Sequence, residues 1–200
     1  MRRKRDYPAR VSDLDPAPGD LRIVQRLVNT ADHEHGTDEL ATPEALATWL
    51  TRHGLLAKGT KLTQTDLDWA RDAREALRDA LAANNGGDPA KAAARLDRIA
   101  ARSPVVVRFS ADCKSRLEPG SDDVDGALGR IFAIVALAQV DGSWARLRAC
   151  AAAECRAAFY DPSKSRTGKW CSMRRCGNRR NSRRSHRIRD QVREERRARR

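Results

Sequence analysis

Aromatic residues are scarce in this 200-residue chain, at 4%. A core must therefore come from Ala, Leu, Val and Ile. There is also no interleaving of basic and aromatic residues of the kind that stacks single-stranded bases. No apolar run approaches the ~20 residues that cross a bilayer; the most apolar stretch, Ile131 to Val140, predicts a buried helix. The basic start MRRKRDYPAR lacks the apolar segment of a secretory signal. Internal repeats and low-complexity linkers are missing, as are a nucleophile–base pair, an open metal site and a phosphate loop, which argues against an enzyme. Cysteine is rare, five in all, but four fall between positions 150 and 176. Such clustering suits metal binding in a reducing compartment better than a disulfide framework.

Charge is plentiful but uneven. Residues 146–200 hold 19 Lys and Arg against 5 Asp and Glu, a net of +14, whereas residues 1–145 carry 21 and 22, a net of −1. The basic block is nearly all Arg, which suits bidentate contacts to phosphate and guanine. It predicts a polyanionic partner, DNA, RNA or an anionic membrane surface. With no spanning run and no secretory signal, the expectation is a cytoplasmic, nucleoid-associated protein without a membrane partner.

Periodicity predicts a mainly α fold with a small β element. Leu21, Val24, Leu27 and Val28 recur at helical spacing, in a helix ending near Asp32. Thr42-Pro43-Glu44 is a start signal for a second helix, which stops at His53-Gly54. A third opens at Thr65-Asp66, carries Leu67, Ala70, Leu77 and Leu81, and stops at Asn84-Asn85-Gly86-Gly87. Asp88-Pro89 starts a fourth, with Leu96 and Ile99 inward, and Ser103-Pro104 breaks it. Val105–Phe109 is the convincing β-run, pairing with a short strand around Lys114–Leu117; an apolar helix over Asp123–Val140 follows. The expected organisation is a basic, Pro-containing leader (1–19), a helical domain (20–145) and a small zinc module with an Arg-rich helix (146–200).

Cys150, Cys155, Cys171 and Cys176 stand in a C-x4-C-x15-C-x4-C array. Two close pairs separated by such a loop can converge on one ion, and four thiolates form a closed site, so the expectation is one structural Zn2+. Cys113, alone beside the β element, reads as a small core residue. His33 and His35 read as a polar helix terminus. Phe159, Tyr160 and Trp170 are expected to pack around the metal.

Beyond Cys171 a helical projection puts Arg175, Arg179, Arg183 and Arg187 on one row, with Arg180 and Arg184 beside it. Lys169, Arg174 and this set are the expected phosphate contacts, and Asn178 or an arginine is the expected reader of a base edge. Duplex DNA is favoured over RNA. Structured RNA of the ribosome or tRNA is the alternative partner, and an active or ligand site at Asn29, Asp32 and His33 is a lesser one.

The segment from Cys150 to Arg189 closely resembles the CGNR zinc-finger family. The resemblance rests on Cys176-Gly177-Asn178-Arg179, Cys150-x4-Cys155, Phe159-Tyr160-Asp161 and Trp170-Cys171-Ser172-Met173. The part before it resembles the ABATE domain that accompanies this finger, through Leu27-Val28-Asn29-Thr30 and Leu40-Ala41-Thr42-Pro43-Glu44-Ala45-Leu46. The resemblance implies a bacterial transcription regulator linked to stress responses, with a DNA-binding zinc module. In that setting the helical domain would serve as a sensor of a small-molecule effector or as a homodimerisation domain. The longer basic leader departs from the family pattern.

Overall fold

The computed structural model describes residues 14–182, 189 and 191. Helix α1 (Leu21–Asn29) buries Leu21, Val24, Leu27 and Val28. It ends three residues before the expected stop, because Ala31–Asp32 (β1) pairs antiparallel with Thr37–Asp38 (β2). Helix α2 (Pro43–Arg52) begins as expected, with Thr42 Oγ1 accepting from the Ala45 amide and proline in the first turn. Helix α3 (Gln64–Ala83) starts earlier than Thr65. The cap is Thr63, whose amide donates to the Asp66 carboxylate at 2.8 Å while its hydroxyl accepts from the Asp66 amide. This reciprocal pair satisfies two orphan donors at the helix start.

Helix α4 (Pro89–Ala100) is capped by Asp88. Strands β3 (Val105–Phe109) and β4 (Ser115–Pro119) form an antiparallel hairpin with Val107 opposite Leu117. Cys113 lies in its turn, exposed and with φ of 59°. It is not the core residue expected, because the turn over residues 110–114 projects beyond the packed face. Helix α5 (Val124–Val140) is buried almost all round as far as Val135; beyond it Leu137 is 57% and Val140 88% exposed. The expected burial of the whole apolar stretch therefore fails in its final turn, where Ala138 alone still faces the core.

A single turn of 3-10 helix (Trp144–Arg146) leads into β5 (Leu147–Ala149), which pairs with β6 (Ala158–Tyr160). Leu147, Ala149 and Ala158 lie in the same apolar cluster as α1, α3 and α5. Thus the core of the helical region does not stop at residue 145. Among the described residues no helix is long and apolar enough to cross a membrane.

Candidate metal centre

Strands β5 and β6 are the arms of a knuckle whose turn carries the first cysteine pair. Cys150 follows β5 and donates its amide to Ala157 O; Cys155 closes the turn through Ala152 O. Arg156, with φ of 49°, reverses the chain into β6. The second pair arrives on a separate segment. Lys169 O accepts from the Ala151 amide, which places Trp170 and Cys171 beside the knuckle. Between the segments, the buried Asp161 carboxylate accepts from the amides of Ser163 and Gly168, the latter at 2.8 Å. A side chain at Gly168 would press on that carboxylate, since a Cβ there would lie 2.8 Å from Asp161 Oδ2.

After Cys171, Ser172 caps a π-helical turn (Met173–Gly177) that delivers Cys176 and runs into helix over residues 178–182. Gly177 sits where a Cβ would meet Met173 Sδ at 2.7 Å and Trp170 Cδ1 at 3.1 Å, so a side chain there would displace the exposed Met173 side chain and crowd Trp170.

The four sulfurs of Cys150, Cys155, Cys171 and Cys176 lie within 4.8 Å of one another, with 3.6 Å between Cys155 and Cys171 and 3.7 Å between Cys171 and Cys176. A tetrahedral ion with Zn–S bonds of about 2.3 Å requires sulfur–sulfur edges of about 3.8 Å. The donor set fits one closed thiolate site. Electrostatics points the same way. Hydrogen bonds from the other three thiols hold Cys150 far below an ordinary thiol, while hydrogen bonds with Cys150 and Cys155 push Cys171 and Cys176 far above it. Four thiolates this close need a cation between them. Around the site Phe159 and Trp170 pack against the cysteines as expected, whereas Tyr160 packs on the helical core.

The sites expected from sequence are distributed as follows. Asn29 serves the knuckle, its side chain donating to Ala158 O (2.9 Å) and accepting from the Ala158 amide (2.8 Å). Asp32 accepts from the amides of Glu34 and His35 and from the His35 ring. His33 points away, 3.8 Å from Glu75. These three side chains form no common ligand site, because each is committed to a different partner. Arg175 and Arg179 are both held by Glu34, at 2.6 and 2.8 Å, and Arg179 also approaches Glu154 at 3.8 Å. Burial opposes the charge on Glu34, but the hydrogen bonds from Arg175 and Arg179 outweigh it and keep its carboxyl below the usual range. Lys169, Arg174, Asn178 and Arg180 are exposed, and the Arg180 guanidinium lies 5.6 Å from the Trp170 ring centre. Arg183, Arg184 and Arg187 lie outside the described residues.

Sequence reasoning missed Glu34. It also missed the fully buried Arg78, whose guanidinium joins Glu75 (2.9 Å), Val28 O (2.7 Å) and Arg156 O (3.0 Å). The available signal was an arginine, Arg78, in line with the apolar row of α3 that carries Leu67, Leu77 and Leu81. The exposed knuckle-loop cations Lys164 and Arg166 were missed as well.

Compared with known families, residues 21–158 match the ABATE family, described as "Putative stress-induced transcription regulator", and residues 146–190 match the CGNR zinc finger. No curated protein matches the chain. The finger carries one structural zinc ion, and the four clustered cysteines are the group suited to hold it.

Proposed function

For a chain that belongs to the ABATE family and closes in a CGNR zinc finger, we propose a DNA-binding transcription regulator with no catalytic role. In this reading Cys150, Cys155, Cys171 and Cys176 ligate the zinc, and the metal fixes the base of the arginine helix. One observation carries the reading: residues 178–182 continue without a break from the turn that holds Cys176, so the position of the basic segment is tied to the metal site. Lys169 and Arg180 flank Trp170 at that junction and, with Lys164, Arg166, Arg174 and the arginines at 183, 184 and 187, supply the phosphate contacts. Asn178 is the candidate for a base edge. Arg175 and Arg179 contribute less, because Glu34 already neutralises them.

The test is a titration of labelled duplex DNA and structured RNA across several salt concentrations, with and without prior zinc removal. About six to eight phosphate contacts give a log–log salt slope of about −5 to −7 on duplex DNA. Tighter binding to RNA reassigns the protein to structured RNA, and no binding to either at low salt ends the nucleic-acid reading.

A further inference from the structure

Arginines of the helical region are almost all partnered. Arg71, Arg74, Arg78, Arg95 and Arg102 each reach a carboxylate or a carbonyl within 3.1 Å, and Arg130 reaches Gly54 O at 2.8 Å. Arg22, Arg26 and Arg52 differ: among the described residues none of their exposed guanidiniums makes a hydrogen bond or an ion pair. They converge on one cleft of about 360 Å³. Arg22 and Arg26, one turn apart on α1, form one side; Trp49, Arg52 and His53, at the end of α2, form the other. The Trp49 and His53 rings sit 4.3 Å apart and present an aromatic wall. Among the described residues Glu39 at the rim is the one carboxylate of the lining, so the cations stay in excess. The imidazole of His53 registers the crowding: burial, and then the fields of Arg26, Arg52 and Arg22, hold its pKa below the usual value.

Three exposed guanidiniums around one cleft with a single carboxylate leave a positive excess that an anion matches, and the planar fork of Arg suits phosphoryl oxygens in pairs. The cleft volume is at the size of small-ligand sites and concave, whereas a duplex backbone is convex. We propose that this cleft binds a small phosphorylated molecule of nucleotide size. Its phosphoryl group lies among Arg22, Arg26 and Arg52, and its flat part lies beside His53, whose ring is backed by the buried Trp49. The floor is shared with the zinc module. Gln25 and Asn29 line the cleft while both donate to Ala158 O. Leu14 lines it and packs on the cysteine cluster. Occupancy of the cleft is thereby felt at the knuckle. The proposal does not depend on what the arginine tail binds.

The experiment uses the full-length, zinc-loaded protein titrated with adenosine 5′-monophosphate and with inorganic pyrophosphate, read by calorimetry and tryptophan fluorescence. Adenosine 5′-monophosphate is expected to bind saturably and to change the fluorescence. The triple variant R22A/R26A/R52A should melt at or above the wild-type temperature, since it loses repulsion and no bond, yet bind the nucleotide at least about tenfold more weakly. The control R179A/R180A, which removes tail cations, should bind it unchanged. Three results overturn the proposal: no binding of either probe at millimolar concentration, equal binding by the triple variant, or loss of probe binding in the tail control instead.

Discussion

The helical region and the zinc module solve the same problem by opposite means. In the first, buried leucines and alanines from α1, α3 and α5 exclude water from a continuous apolar core. In the second, three of the six buried residues of the local cluster are cysteines, and burial alone brings mutually repelling thiolates together. The helical region holds itself, whereas the module requires a cation. The join between them uses both main-chain and side-chain contacts. Asn29, Arg78, Asn84 and Asn85 extend side chains from the helices, and each meets backbone carbonyls of the module. The helical region therefore recognises the module's main chain and, through Asp79 and Glu34, the side chains of Arg156, Arg175 and Arg179.

The sharpest way to break this comparison is to remove the metal. Cys171→Ser should abolish stoichiometric zinc, read by a colorimetric thiol-release assay, and lower duplex DNA affinity by more than about tenfold, since structural zinc sites supply about 10–16 kcal/mol of folding free energy in isolated fingers. Far-ultraviolet circular dichroism should keep most of its helical signal. Loss of that signal would mean that the two regions do not differ as described.

Next in size is Arg78→Ala, which leaves Glu75 without its closest cation and Val28 O and Arg156 O without a donor. Removing one partner of a buried charged pair costs about 3–5 kcal/mol, to be read as a shift in the urea midpoint at constant slope. Asn29→Ala removes two hydrogen bonds to Ala158 and should destabilise by about 1–3 kcal/mol. It should also speed zinc loss to a chelator, a readout that damage confined to the helices would leave unmoved. The smallest effect belongs to Glu34→Gln. Stability should fall by about 1 kcal/mol, because Gln keeps one acceptor for the two arginines, but duplex DNA should bind more tightly. Its salt slope should steepen by about 1.8, two more phosphates being within reach of Arg175 and Arg179. An unchanged slope would show that these arginines never exchange Glu34 for phosphate.

What was legible in the sequence divides along the same line. Helix limits at Thr42-Pro43, Asp88-Pro89 and Asp123 were readable because caps and prolines act locally. The metal site was readable because cysteine spacing is itself the geometric constraint. Glu34 and Arg78 were not, since both act across long sequence separations, Glu34 on Arg175 at 141 positions. A helical projection of the arginine segment could align Arg175 with Arg179, and the two do act together. It could not show that the row turns inward to a carboxylate rather than outward to solvent. The fate of Asn29 was hidden for a similar reason, because an amide that pairs with main chain leaves no pattern in the residue it meets.

The pairing of Asn29 with Ala158 also sets an order of events. A chain made from its N-terminus at about 5–20 residues per second produces α1 on the order of 10 s before the strand that receives its amide, 129 positions later. Until then one flank of the first helix lacks its neighbour, and Leu147, Ala149 and Ala158 are missing from the core. The earliest helix is therefore the last to be completed, and its completion coincides with the emergence of the first two cysteines from the ribosome.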